Sequence, residues 1–124
     1  MEYSGDLPSD CPPADSDEIT KDIVVFRIVK SNPATNDDFK SQREERPTAI
    51  FTVPECFARG VSVRTELTDS MELLKLPRLR GRAVCRVTLG AGSGSIKQTF
   101  KPSHHTWWRA AGFAMPDGCE VVAQ

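Results

Sequence analysis

The residues best equipped for chemistry fall within seven consecutive positions. Ser103, His104, His105, Thr106, Trp107, Trp108 and Arg109 include both histidines and both tryptophans of the 124-residue chain. On a strand, the two-residue period sets His104, Thr106 and Trp108 on one face and His105, Trp107 and Arg109 on the other. Each face then joins an aromatic surface to polar groups, the composition of a small-ligand pocket or a base-stacking platform. Imidazole titrates near neutral pH, so His104 is a candidate proton donor or acceptor. Its neighbour His105 points away and cannot serve the same site.

The second candidate is Arg27, inside the run IVVFRIVK at residues 23–30. That run is β-branched and apolar on both faces, which predicts a central strand covered on both sides. A guanidinium there must meet an anion or several carbonyls. It either forms a structural pair with a carboxylate or reaches into a ligand cleft as a catalytic group.

Sharper enzyme signatures are absent. The sequence has no G-x-S-x-G, no H-E-x-x-H and no dinucleotide-binding glycine fingerprint. The glycine-rich stretch at residues 90–94 lacks G-K-[ST] and a following helical pattern, so it predicts a flexible hairpin connection rather than a phosphate cradle. Cys11, Cys56, Cys85 and Cys119 are widely spaced without C-x-x-C. With no signal-peptide pattern and no apolar run of membrane length, they read as free thiols of a cytoplasmic protein, with no metal site and no membrane partner.

Charge divides the chain. Residues 1–22 hold seven acids and one base and are rich in Asp, Ser and Pro. Such a composition cannot offset its ordering entropy by burial, so a disordered acidic tail is expected there, ahead of a single globular domain at 23–124. The tail would act as a solubilising leader or as an internal mimic of an acidic ligand. From Leu73 to Met115 there are eight bases and no acid. Arg78, Arg80, Arg82, Arg86, Lys97, Lys101 and Arg109 are the candidate nucleic-acid contacts if that excess forms a phosphate-binding face rather than a solvated one.

The intervening pattern supplies the elements that must position these groups. Thr35 to Asp38 is a T-x-x-D start for a short helix within 36–45, ended by Arg46-Pro47. Val61 and Val63 alternate with Ser62 and Arg64 on a short strand. Thr68 would cap a helix with Met71 and Leu74 buried, stopped by Pro77. Residues 82–89 and 95–101 alternate as strands, a turn of helix is expected within 110–115, Asp117-Gly118 is a turn pair, and 119–123 predicts a last strand. The expected architecture is α+β, a small and mainly antiparallel sheet with two or three short helices.

Several of these residues together carry a resemblance. Arg27 in the first strand, Asn32-Pro33-x-Thr35 leading to Asp38-Phe39-x-x-Gln42, Gly60-Val61-Ser62-Val63-x-Thr65 before a helix, and His104-x-Thr106-x-Trp108 resemble a group of small bacterial proteins over about residues 24–122. Their order of elements is similar to the ADP-ribosyltransferase-like fold. That resemblance implies a cleft of the NAD type, with Arg27 at the first-strand position, Ser62 and Thr65 at the second motif, and NAD as the cofactor or substrate. Transferases of that fold commonly use a late glutamate, whereas Gln98 and no acid occurs between Glu72 and Asp117 here. The expectation is therefore a nucleotide-binding or ADP-ribosyl-transfer domain in which Arg27 and His104 are catalytic and Ser62, Thr65, Thr106 and Trp108 bind the ligand. The rival is a non-enzymatic module that binds nucleic acid or a protein partner through its basic face.

Overall fold

Seven strands account for most of the regular structure in the computed structural model, which describes residues 1–113 and 119–124. They are β1 (Asp17–Glu18), β2 (Ile23–Val29), β3 (Val61–Arg64), β4 (Ala83–Leu89), β5 (Gly94–Gln98), β6 (His104–Arg109) and β7 (Glu120–Ala123). Three short helices, α1 (Gln42–Glu45), α2 (Glu55–Ala58) and α3 (Leu67–Leu73), and two 3-10 turns complete it. The fold is α+β with an antiparallel sheet, as the alternating patterns predict.

The sheet order is β1-β5-β6-β3-β2-β4-β7, antiparallel at every step. β2 pairs with β4 along its whole length, from Ile23 opposite Leu89 to Val29 opposite Ala83. It meets β3 at a single pair, Phe26 opposite Arg64. The sheet is therefore two ladders, β2-β4-β7 and β1-β5-β6-β3, joined at one point. Both feed one core, in which Val25, Val29, Val61, Val63, Val87, Leu89 and Trp107 are buried with Phe39. Phe113 packs edge-on to Trp107 with ring centroids 4.9 Å apart. Burying each such side chain contributes about 1.5–3 kcal/mol, which drives the two ladders onto a common centre.

Several expectations are corrected. Residues 1–22 are not a free tail. β1 pairs with β5, Ile19 is buried, Ile19 N–H donates to Gly94 O at 2.9 Å, and the Tyr3 hydroxyl bonds the Ser95 hydroxyl at 2.7 Å. The edge of β5 needs a hydrogen-bonding partner, and the apolar anchor at Ile19 helps to seat it. Composition counts cannot register either effect. The cysteines are not free thiols: Cys11 is joined to Cys56, with Cα atoms 5.6 Å apart, and Cys85 to Cys119. The Cys11–Cys56 link spans 45 residues of sequence, a proximity only the tertiary fold creates.

The glycine-rich segment is no hairpin, because β4 and β5 belong to different ladders. A Cβ at Gly94 would lie 2.0 Å from the Trp108 carbonyl oxygen, so glycine is required by close backbone approach, and φ there is +136°. The expected helix at 36–45 is broken into a 3-10 turn at Asn36–Phe39 and α1. Thr35 N–H donates to the Asp38 carboxylate at 2.9 Å, and Ser41 caps α1 reciprocally with Glu44. α3 starts one residue before Thr68, and its buried residue is Ser70, while Met71 faces outward. The expected Asp117-Gly118 turn lies outside the described residues, and of the helical turn expected within 110–115 the described residues 110–113 form a bridge from Ala110 to Tyr3 and a turn instead of a helix.

Candidate ligand-binding cleft

The β3–β6 ladder sets Ser62 opposite Thr106 and Arg64 opposite His104. Directly opposed residues of an antiparallel pair project from the same face. Register alone therefore brings four polar side chains into one patch. They line a cavity of about 230 Å³, together with Phe57 from α2, Gln42 from α1, Val53, and Phe100 and Lys101 from the β5–β6 turn.

Thr99 organises the histidine. Its hydroxyl lies 2.9 Å from His104 Nδ1 and 2.8 Å from the Thr106 hydroxyl, a buried chain of three groups. One proton arrangement of this chain leaves Nε2 protonated as a donor, and the other leaves it a lone pair. Burial, reinforced by the positive charge of Arg64, lowers the His104 pKa to about 4. The imidazole is thus neutral at physiological pH, able to donate or accept one hydrogen bond but not to act as a cation.

Arg64 differs from Arg27, Arg43, Arg59 and Arg109, partly buried arginines whose donors meet carboxylates or carbonyls. Among the described residues no carboxylate lies within 4.0 Å of it, and its guanidinium forms no hydrogen bond. Burial pushes its pKa down, and the nearby charge of Asp69 opposes that push. Being arginine, it stays charged, so a half-buried cation faces the cavity with its donors unoccupied. Phe100 stands beside it in a left-handed backbone conformation, φ 62°, with 61 % of its surface exposed. Its ring is 5.2 Å from the His104 ring and 5.7 Å from Phe57. A phenylalanine held at positive φ and left in solvent is a strained placement.

Arg64 and Lys101 also line an adjoining cavity of about 480 Å³, with Thr65, Ser103 and the three carboxylates of Glu66, Asp69 and Glu72 on its wall. Ser103 donates its hydroxyl to Asp69, which links the start of β6 to α3.

Of the residues expected from sequence, Ser62, His104 and Thr106 converge in the first cavity, and Thr65 lies in the second. Trp108 is buried, donating Nε1–H to the Cys56 carbonyl at 2.9 Å and packing on Phe57, so it forms the wall behind the cavity. Arg27 does not reach the cavity. It neighbours Phe26, which shares its cross-strand line with Arg64 and His104, and so Arg27 projects from the opposite face. Its Nε donates to Asp38 O at 3.0 Å, Nη1 to Ser62 O at 2.9 Å and Nη2 to Lys40 O at 3.2 Å, with Glu45 3.7 Å away. Arg27 is therefore structural and not a cleft group, held chiefly by three carbonyls where a carboxylate pair was expected, with Glu45 a longer contact.

The seven candidate nucleic-acid bases do not form one face. Arg86 pairs with Glu120, Lys97 with Asp15 at 2.6 Å, and Arg109 with Glu44. Lys101 belongs to the cleft, and Arg80 and Arg82 line a separate groove with Arg78 exposed beside them. The Asp15–Lys97 contact is where the acidic segment meets the basic one.

Sequence reading missed Arg64, Phe57, Phe100, Gln42 and Thr99. For Arg64 the signal was present, since it alternates with Ser62. Gln42 was noticed only in the motif that carries the resemblance, and for Phe57, Phe100 and Thr99 no local signal exists, because their role depends on which loop folds over β3 and β6. Among the described residues, no group of three or more His, Cys, Asp and Glu side chains is placed to hold a metal ion, and no helix is long and apolar enough to cross a membrane. No protein-family model matches the chain, and neither a curated protein nor a solved structure shows significant similarity to it.

Proposed function

We propose that the β3–β6 cleft binds a nucleotide-type ligand, with phosphate on Arg64 and Lys101 and an aromatic ring stacked on Phe100. The observation that carries this reading is Arg64, a half-buried arginine left with free donors beside an exposed aromatic ring and a neutral histidine. Arginine recognises phosphate through its planar fork, and base stacking on an aromatic side chain contributes about 1–3 kcal/mol. A cavity of about 230 Å³ is smaller than a typical small-molecule pocket and takes one nucleobase or one ribose phosphate. A dinucleotide such as NAD would keep its phosphates at Arg64 and Lys101 and place only an uncharged part in the adjoining 480 Å³ cavity, because Glu66, Asp69 and Glu72 line it.

The resemblance to ADP-ribosyltransferase-like proteins supports the NAD class, because Ser62 and Thr65 of the second motif line the two cavities. It gives less support to ribosyl transfer. The first cavity is lined by no carboxylate, and Arg27, matching the first-strand position, is occupied by backbone carbonyls. We therefore favour a binding function, with His104 Nε2 as the one proton-transfer group. The two disulfides favour maturation in an oxidising compartment over the cytoplasm, where thiols are kept reduced.

Calorimetric titration with NAD, ADP-ribose and AMP tests the reading. Arg64→Met should weaken binding by about 10- to 150-fold, the loss of a charged hydrogen bond of roughly 1.5–3 kcal/mol, without lowering the melting temperature. Wild-type protein that binds none of the three, or Arg64→Met that binds as well as wild type, would refute it.

A further inference from the structure

The two edge strands of the sheet are β1 and β7. Beside β7, the end of α3, the segment 75–82 and the last residues of the chain enclose a groove of about 440 Å³. Its floor is apolar: Leu74 and Leu79 line it, Met71 is 45 % exposed and Leu76 36 % exposed. Its rim is basic. Lys75, Arg80 and Arg82 line it, no acidic side chain does, and Arg78 is exposed on the same turn. Among the described residues, Lys75 has a carboxylate partner, Glu72 at 2.9 Å, while Arg78, Arg80 and Arg82 have none within 4.0 Å. β7 pairs on one side with β4 and, among the described residues, with no strand on the other, and Val122 on it is 36 % exposed.

We propose that this groove docks an acidic segment of a partner protein, with apolar side chains seated on Met71, Leu74 and Leu76 and carboxylates on Arg78, Arg80 and Arg82. An apolar floor with a basic rim is complementary to alternating apolar and acidic residues, and the open edge of β7 offers main-chain hydrogen bonds to an extended segment. Two other occupants fit less well. Nucleic acid would use the arginines but not the aliphatic floor, and no aromatic side chain lines the groove for bases to stack on. A second copy of this chain would have to offer its own acidic segment, 1–22. That segment is already fixed by Ile19 in the core, the Cys11–Cys56 link and the Asp15–Lys97 pair, and it has few apolar residues to fill the floor.

The test uses the full-length, disulfide-linked protein and fluorescence anisotropy with four labelled probes. They are a 12-residue peptide alternating Leu with Asp or Glu, the same peptide with Ser for Leu, the same with Lys for the acids, and a 12-nucleotide single-stranded DNA. The Leu-acid peptide should bind at least 10-fold tighter than the other three. Arg80→Glu with Arg82→Glu should weaken it at least 10-fold, as should Met71→Ser with Leu76→Ser, and Arg64→Met should leave it unchanged. Equal binding of the Ser-acid peptide, tighter binding of the DNA, self-association in sedimentation that these variants abolish, or no binding of the Leu-acid peptide would each overturn the proposal. Because Arg64→Met separates groove from cleft, this outcome is independent of the nucleotide reading.

Discussion

Arg27 and Arg64 sit on the neighbouring strands β2 and β3, one residue out of step across the single pair that joins the two ladders. On the β2–β4 side, Arg27 is 15 % exposed and its donors end on three carbonyls. On the β3–β6 side, Arg64 is only half-buried and has no such partners. The contrast separates a structural cation from a candidate binding one. A guanidinium surrounded by fixed carbonyls has nothing left to offer a ligand, while one facing a cavity beside neutral groups favours an incoming anion. Arg27 also bonds the Ser62 carbonyl, so it holds closed the junction whose other face displays the cleft.

The largest expected effect tests that contrast directly. Arg27→Met would leave the carbonyls of Asp38, Lys40 and Ser62 without their donor at the one place where the ladders meet. Unfolding in urea should show a loss of about 3–5 kcal/mol, as when one partner of a buried charged network is removed. Arg64→Met, measured alongside, should stay within about 0.5 kcal/mol of wild type. Equal losses for the two would erase the distinction.

The second effect concerns the wall of the cleft. α2 carries Phe57 into the cavity and the Cys56 carbonyl to Trp108, and Cys11–Cys56 ties it to the N-terminal segment. Replacing both cysteines by serine should lower stability by about 2–4 kcal/mol, the usual range for a loop of this length. Hydrogen exchange should then quicken in α2 and at the edge of β5 while the β2–β4 ladder keeps its protection. Uniform loss of protection would show that the two sides unfold as one.

The smallest effect is a pH slope. Held near pKa 4 when folded and near 6.5 when unfolded, His104 binds fewer protons in the folded state across that window. Unfolding therefore takes up a proton, and stability is at its full value above about pH 6.5 and declines as pH falls toward 4. Urea titrations between pH 6.5 and 5 should show this decline in the wild type and a flatter profile in His104→Gln. An unchanged slope would place the titration elsewhere.

Periodicity alone marked β2 to β7 but not β1. The alternation of Val61, Ser62, Val63 and Arg64, and of His104, Thr106 and Trp108, follows from the two-residue repeat of extended backbone, so these faces were legible without a fold. The α+β class and the apolar centre at β2 were equally local. What only the tertiary structure decided was pairing. Which strand lies beside β3, whether Arg27 meets carbonyls or a cavity, that Cys11 reaches Cys56, and that Ile19 anchors an otherwise acidic segment all depend on contacts between residues distant in sequence. Loop closure makes such contacts possible without leaving a local mark, because the free energy that selects them comes from burial and hydrogen bonding summed over the whole core. For the same reason Ser62, Arg64, His104 and Thr106 could each be noticed along the chain, but became a site only when β3 was set in register against β6.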